Sequence, residues 1–259
     1  MLARRYRWGA AGVVAALTLA ACTSGRGAPT SRDTSPLTGT STSTAPATTS
    51  APASTAAPST TTPAATSTTI PAFSYRVATA TAADLPHSWR AGCPVGPSQL
   101  RIIRMSYWGL DSKAHTGTMV VNASVLTSVI TVFRTLYADR FPIAEMVPVD
   151  AYGGSDDAAA AADDTSGFNC RYAVAPGPPQ WSVHAFGEAI DVNDVQNPYV
   201  DGSTIIPPSG AAYLDRRRVR PGMAVPGGAL VDAFASVGWY WGGRWSPGTD
   251  YQHFSATGG

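Results

Sequence analysis

A histidine and an aspartate stand seven positions apart in the stretch WSVHAFGEAIDVND, residues 181–194, with Gly187 between them. His184 and Asp191 are both side chains that bind metal ions in proteins. Both are equally compatible with an ordinary polar role at the edge of a strand. A metal site is therefore indicated only if another part of the chain supplies a third ligand.

The sequence DYQHF, residues 250–254, supplies that third ligand close to the C-terminus. Zinc in a hydrolase takes three protein ligands from His and Asp or Glu and keeps one position for water, whose proton a nearby carboxylate accepts. His184, Asp191 and His253 match the ligands, and Asp250 matches the proton acceptor. We therefore predict one bound Zn²⁺, with Asp250 as the general base.

Backbone geometry limits how these side chains reach one site. Residues an odd number of positions apart face opposite sides of an extended strand, so the chain must turn between Asp250 and His253. Gly248 and its neighbours allow such a turn. Gly187 allows a second turn, which folds His184 back over the strand that carries Asp191. The same parity turns Glu188, a rival base, away from the metal.

The surrounding elements predict an α+β domain. Ser124 is predicted to cap a helix, and the apolar residues of that helix recur at helical spacing: Val125, Val129, Val132, Phe133 and Leu136. A second helix is predicted over residues 228–237 and ends at Gly238. Four strands are predicted, at residues 118–121, 145–149, 188–192 and 252–255. Residues 153–167 form a loop or a short helix.

Both motifs carry a family resemblance. SVHAFGEAIDV resembles the Ser-x-His-x-x-Gly-x-Ala-x-Asp signature of the VanY-type D-alanyl-D-alanine carboxypeptidase family of zinc peptidases, which also contains L-alanyl-D-glutamate endopeptidases of phage. DYQHF resembles its closing Asp-x-x-His-Phe. The segments HTGTMVVN, FPIAEMVPVDAYGGSDD, TSGFNCR and NPYV follow the order of one bacterial branch, so the resemblance covers about residues 115–254.

The resemblance implies a small antiparallel sheet with flanking helices and a zinc site, and peptidoglycan peptides as substrates. It implies that His184, Asp191 and His253 bind the metal and that Asp250 is the base. Many carboxypeptidase members have a glutamate before a tryptophan-histidine pair instead. The aspartate here favours the endopeptidase-like branch, and the specificity stays open between the two.

Two further residues match the family's substrate site. An arginine can bind a carboxylate through two hydrogen bonds, and the family has a substrate-binding arginine upstream of the histidine motif, which implies that role for Arg171. The alternative is a surface arginine. Ser182 matches the signature serine and is predicted to bond substrate or a group beside the ligands. His115 is open between a cleft role and a structural one, and His87 is interpreted as a surface residue.

The N-terminus predicts export. Three arginines precede an apolar run over residues 10–21 that is too short for a membrane span. The run ends in LAAC, which resembles the bacterial lipobox and predicts a lipoprotein signal peptide over residues 1–21 with a lipid on Cys22. An ordinary signal peptide cut at a nearby alanine is the alternative. The predicted location is the outer face of the cell membrane, towards the cell wall.

Residues 22–72 are predicted to form a disordered tether. From residue 34 onwards this segment is almost entirely Ser, Thr, Pro and Ala, without a charged residue, so it buries too little surface to offset its chain entropy. Some forty residues at up to ~3 Å each reach on the order of 100 Å from a bilayer. A glycosylated or simple spacer segment has the same composition. Residues 73–259 then form the zinc peptidase domain.

The cysteines and the net charge bear on the location of the protein and on its partners. With Cys22 lipidated, Cys93 and Cys170 remain, and outside the cytoplasm such a pair favours a disulfide; free thiols, or Cys170 as a metal ligand, are the alternatives. The net charge is only +1, and the sequence has no basic patch with interleaved aromatic residues, which argues against nucleic acid as a partner. We expect a monomer.

Two classes of function remain. The first is a zinc peptidase that trims or opens the stem peptides of peptidoglycan. The second is a zinc-stabilised module that binds the cell wall without turnover. Asp250 favours the enzyme, because a binding module needs no carboxylate beside the metal.

Overall fold

The computed structural model describes residues 71–174 and 178–258. The predicted signal peptide, the lipid site at Cys22 and all but the last two residues of the predicted tether lie outside these ranges. No helix in the described ranges is long and apolar enough to cross a membrane.

The strands form three small sheets. Within the described ranges the strands in chain order are β1 Tyr75–Thr79, β2 Leu100–Gly109, β3 Ala114–Asn122, β4 Pro142–Ile143, β5 Ala189–Asp191, β6 Tyr199–Asp201, β7 Thr204–Ile206, β8 Tyr240–Trp241, β9 Thr249–Asp250 and β10 His253–Ser255. β1, β2 and β3 are antiparallel neighbours, and β4 pairs with β2 in parallel. The other two sheets have the orders β5-β10-β8 and β7-β6-β9, so the chain changes sheet between β9 and β10.

Three α-helices lie among these strands: α1 Leu126–Ala138, α2 Asp156–Ala161 and α3 Ala229–Ala235. The main core includes residues of α1, α3, the first sheet and β10. Phe234 of α3 stacks on Phe254 of β10 with 4.1 Å between ring centroids. Because Phe254 directly follows His253, this packing fixes the strand that carries one predicted metal ligand.

The α+β fold class is confirmed, and most of the predicted elements are present. The predicted helix over residues 228–237 corresponds to α3, and the short helix option for residues 153–167 corresponds to α2, which Ser155 caps through a hydrogen bond from Ala158 N (3.2 Å). The strands predicted at residues 118–121, 188–192 and 252–255 correspond to β3, β5 and β10.

Two element predictions are wrong. Ser124 does not cap α1, since it lies inside a 3₁₀ turn whose capping side chain is Asn122. Residues 145–149 form no strand, although an isolated Thr118 N–Met146 O hydrogen bond links them to β3. Val147 N instead donates to the side chain of Asp164 (3.0 Å), and Pro148 has no N–H to continue a ladder.

β1, β2, β4 and β6 to β9 are absent from the sequence-based prediction. β2 has no alternation of buried and exposed residues, because Ile103 and Met105 pack into the main core while Leu100 belongs to a second buried cluster. The period-two pattern that identifies a half-buried strand is therefore missing.

A disulfide joins Cys93 and Cys170, 77 positions apart. Cys170 N also donates to Ser88 O (2.9 Å), and Arg90 Nη1 donates to Cys170 O (2.5 Å). The backbone that leads directly into Arg171 is thus held by one covalent bond and two hydrogen bonds.

Candidate metal centre

The three predicted ligands come from three different local structures. His184 lies in a 3₁₀ turn, Val183–Phe186, which ends at Gly187 with a left-handed φ of 71°. This glycine reverses the chain into β5, whose last residue is Asp191. His253 is the first residue of β10 and lies directly opposite Asp191 in the antiparallel register. Side chains at opposite positions project to the same face of a sheet, so the register itself brings these two groups together.

The facing atoms of the three side chains form a tight triangle. His184 Nε2 lies 3.1 Å from Asp191 Oδ2 and 3.2 Å from His253 Nδ1, and His253 Nδ1 lies 3.2 Å from Asp191 Oδ1. Two atoms bound to one tetrahedral zinc at 2.0–2.1 Å lie about 3.3 Å apart. The three groups therefore fit a shared metal ion in spacing as well as in chemistry.

The hydrogen bond at the outer nitrogen of His184 agrees with this fit, whereas His253 Nε2 has no partner among the described residues. His184 Nδ1 lies 2.6 Å from Gly167 O and, because a carbonyl only accepts, must carry the proton. In a neutral ring this leaves the lone pair on Nε2, which faces the other two groups; a backbone carbonyl on the far nitrogen is a common partner of a metal-binding histidine. Trp245 packs against His253 with 5.0 Å between ring centroids, and both histidines are buried.

The carboxylate of Asp191 is stabilised in its charged form. Burial by itself would raise the pKa of Asp191, but the charges and hydrogen bonds of His184 and His253 outweigh burial and hold this pKa well below its ordinary value. A deprotonated carboxylate is the form that binds a metal ion.

Asp250 approaches the same site from the other sheet. It ends β9, opposite Tyr199 of β6, and the chain turns through Tyr251 and Gln252 before His253 begins β10. Gly248 has a left-handed φ of 77° just before β9. The predicted turns at Gly187 and before His253 are thus present. In a continuous strand, His184 and Asp191 would face opposite sides, as would Asp250 and His253; the turns let both members of each pair face the same site.

The carboxyl group of Asp250 has the environment of a proton acceptor. Its Oδ1 is buried and has no hydrogen-bond partner among the described residues. Burial, and after it the charge of Asp191, raises the pKa of Asp250 to about 7, although His253 and Arg171 act to lower it. A carboxyl group with a pKa near neutrality suits general acid–base work.

One cleft of about 470 Å³ contains the predicted metal and substrate residues. Its lining includes all six of them: Arg171, Ser182, His184, Asp191, Asp250 and His253. Trp181 and Trp245 contribute aromatic surface, and Trp181 stacks on Tyr172 with 4.2 Å between ring centroids. The cleft thus combines a few polar side chains with apolar walls, which is the usual composition of a small-ligand site.

Arg171 and Ser182 have identifiable contacts. Arg171 forms an ion pair with Asp156 of α2, and burial lowers its pKa although Asp191, Asp250 and Asp194 raise it. Ser182 Oγ accepts a hydrogen bond from His184 N (3.3 Å) and so caps the turn that carries this histidine. This contact is to the backbone of a predicted ligand, and the bond from Ser182 to substrate or to a group beside the ligands stays a prediction.

The remaining candidates lie away from the cleft. His115 contacts Asp111 (2.8 Å) and stacks on Tyr107, which agrees with a structural role. Glu188 accepts a hydrogen bond from Ser124 Oγ (3.1 Å). The carboxylate of Glu188 therefore points away from the metal cluster, as strand parity predicts.

Sequence reasoning missed other side chains of the cleft, among them Asp194, Trp181 and Trp245. Asp194 is buried, and burial together with the neighbouring carboxylates raises its pKa well above the ordinary value. Asp194 and Trp181 lie at the two ends of the stretch that contains His184 and Asp191. Proximity to those ligands was the one available signal for them.

Comparisons with known proteins agree with the sequence motifs. Residues 176–256 match the family model described as D-alanyl-D-alanine carboxypeptidase, which confirms the resemblance over this part of the chain. The match contains the three candidate ligands, Asp250 and Ser182 and begins after Arg171. Searches of curated proteins and of solved structures found no match.

Proposed function

We propose that this protein is an extracytoplasmic zinc metallopeptidase that hydrolyses the stem peptides of peptidoglycan. The observation that carries the proposal is the triangle of His184, Asp191 and His253 in the same cleft as Asp250. The family match over these residues supports peptide hydrolysis as the reaction.

A zinc ion in this triangle would supply Lewis-acid activation of water and of the scissile carbonyl. Asp250 accepts the proton of the attacking water at its buried Oδ1 and then returns this proton to the departing amine. Its raised pKa fits both steps, because the group must bind and release one proton near neutral pH. Ser182 holds the backbone of His184, and Asp191 stays ionised beside both histidines.

Arg171 binds a carboxylate of the substrate in this proposal. A guanidinium recognises a carboxylate through paired N–H groups, and Arg171 lines the cleft close enough to Asp191 and Asp250 to interact with their charges. Both a D-alanyl-D-alanine carboxypeptidase and an L-alanyl-D-glutamate endopeptidase act beside a carboxylate. Arg171 is therefore compatible with either bond.

The proposed location is the outer face of the membrane, with a lipid on Cys22 and the tether of residues 22–72 leading to the domain. The Cys93–Cys170 disulfide supports an exported location, because such bonds persist in oxidising compartments. Mass spectrometry of the mature N-terminus tests the anchor, and we expect a lipidated Cys22. An unmodified N-terminus at another residue would refute it.

The decisive experiment is digestion of purified muropeptides with the purified protein. We expect release of D-alanine or cleavage of the alanyl-glutamate bond, loss of this activity with a chelator, and recovery on addition of Zn²⁺. The product identifies the bond. Zinc binding without any cleavage would instead support the non-catalytic wall-binding module.

A further inference from the structure

Arg171 forms an ion pair with a carboxylate that belongs to neither the metal triangle nor the general base. Asp156, the first residue of α2, forms this pair through its Oδ2 with Arg171 Nε, although the Nε–H is not aligned for a hydrogen bond with any of the described residues. Its other oxygen, Oδ1, accepts a hydrogen bond from Asn169 Nδ2 (2.6 Å). Asn169 is buried and its Nδ2 also donates to Gly154 O (3.2 Å). Asp156 is thus itself fixed at a defined place beside Arg171.

The carboxylates of the metal side of the cleft also attract Arg171, although none of them forms an ion pair with it within the described residues. The carboxylates of Asp191, Asp250 and Asp194 all interact favourably with its charge. Asp250 Oδ1 has no partner among the described residues. A partly buried guanidinium gains more from a nearby carboxylate than it would in water, so an Arg171 without Asp156 is expected to move towards Asp250.

We propose that Asp156 is a positioning residue that holds Arg171 away from Asp250. In this arrangement Arg171 Nη1 donates to Tyr172 O (3.4 Å), Nη2 stays available for the carboxylate of the substrate, and Asp250 stays free to accept a proton. The catalytic consequence rests on the proposed peptidase function, whereas the positioning of the side chain does not.

Asp157 offers a matched control. It is the next residue of the same helix turn, carries the same charge and is exposed, and it forms no ion pair within the described residues. Asp156→Asn and Asp157→Asn therefore remove the same charge from neighbouring positions. A general loss of negative charge would affect both variants alike, while the proposed positioning affects only the first.

The first test measures the position of Arg171 without reference to activity. In the full-length, metal-loaded protein, the Nε–H signal of Arg171 is identified by its absence in Arg171→Lys in a ¹H–¹⁵N NMR spectrum. We expect a slowly exchanging signal in the wild type and in Asp157→Asn, and a shifted or lost signal in Asp156→Asn. An unchanged signal in Asp156→Asn would overturn the proposal, whether or not the protein cleaves any peptide.

The second test measures kinetics on a muropeptide that the wild type cleaves. Asp156→Asn is expected to raise KM and to lower kcat about tenfold, part of the ~10²–10⁴-fold that a general base contributes. The zinc content should stay unchanged, and Asp156→Glu should restore part of the loss. Because the fall in kcat requires Arg171, the double variant Asp156→Asn/Arg171→Ala should recover the kcat of Arg171→Ala. Losses that simply multiply in the double variant would indicate a separate structural role for Asp156 and contradict the proposal.

Discussion

The two ends of the cleft are built in different ways. At the metal end, Asp191 and His253 face each other because β5 and β10 pair in one register, so backbone hydrogen bonds set their separation. At the other end, Arg171 lies on an irregular segment directly after Cys170 of the Cys93–Cys170 disulfide, and it forms an ion pair with the side chain of Asp156. We infer that substitutions at the metal end remove function entirely, whereas those at the arginine end change substrate binding and leave the metal in place.

The largest effect is expected from the ligands themselves. His184→Ala, Asp191→Ala and His253→Ala each leave two donors of three, so bound zinc and peptidase activity should both be lost. Elemental analysis of the dialysed variants measures the zinc content. Stoichiometric zinc in all three variants would show that the triangle is not the metal site.

Asp250→Asn separates the metal from the proton transfer. The amide keeps the shape of the side chain and removes its basicity, so kcat should fall by ~10²–10⁴-fold while zinc content stays at the wild-type level. Turnover near the wild-type rate with zinc bound would move the base to another carboxylate. Asp194 is a buried alternative in the same cleft, and Asp194→Asn is the matched comparison.

Arg171→Ala examines the other end of the cleft. Loss of a charged hydrogen-bonding partner for a carboxylate should raise KM by about 10–100-fold, with zinc content unchanged. A substrate analogue with an amide in place of that carboxylate serves as the control, because Arg171→Ala should then have little further effect. Loss of zinc in this variant would contradict the separation of the two ends.

The smallest effect on activity is expected from the disulfide. Replacing both Cys93 and Cys170 by serine opens a loop of 77 residues, which should lower the free energy of unfolding by ~4 kcal/mol in the chain-entropy model. Below the unfolding transition, KM should rise more than kcat falls, since Cys170 precedes Arg171. Chemical denaturation and kinetics on the same sample measure both. A variant that loses zinc before it loses substrate affinity would reverse the comparison.

Local sequence patterns predicted the metal end well and the first sheet poorly. The glycines at 187 and 248 marked the turns that bring His184 and Asp250 to the site, because left-handed backbone conformations favour glycine strongly. β2 was not predicted because its residues contribute to two buried clusters, so buried and exposed positions do not alternate along it. Residues 145–149 look like a strand in composition, but their backbone bonds to the side chain of Asp164 in place of a neighbouring strand.

The sequence by itself determined the donor set, the candidate base and the cysteine pair, because residue type limits metal and redox chemistry and spacing limits which groups a turn can bring together. Only the tertiary structure decided the direction of Arg171 and the partner that holds it. Asp156 lies on α2, 15 positions before Arg171, which lies in an irregular segment. Asn169 Nδ2 donates a hydrogen bond to the carboxylate of Asp156. Such contacts depend on how segments distant in sequence pack together, so local sequence patterns do not predict them.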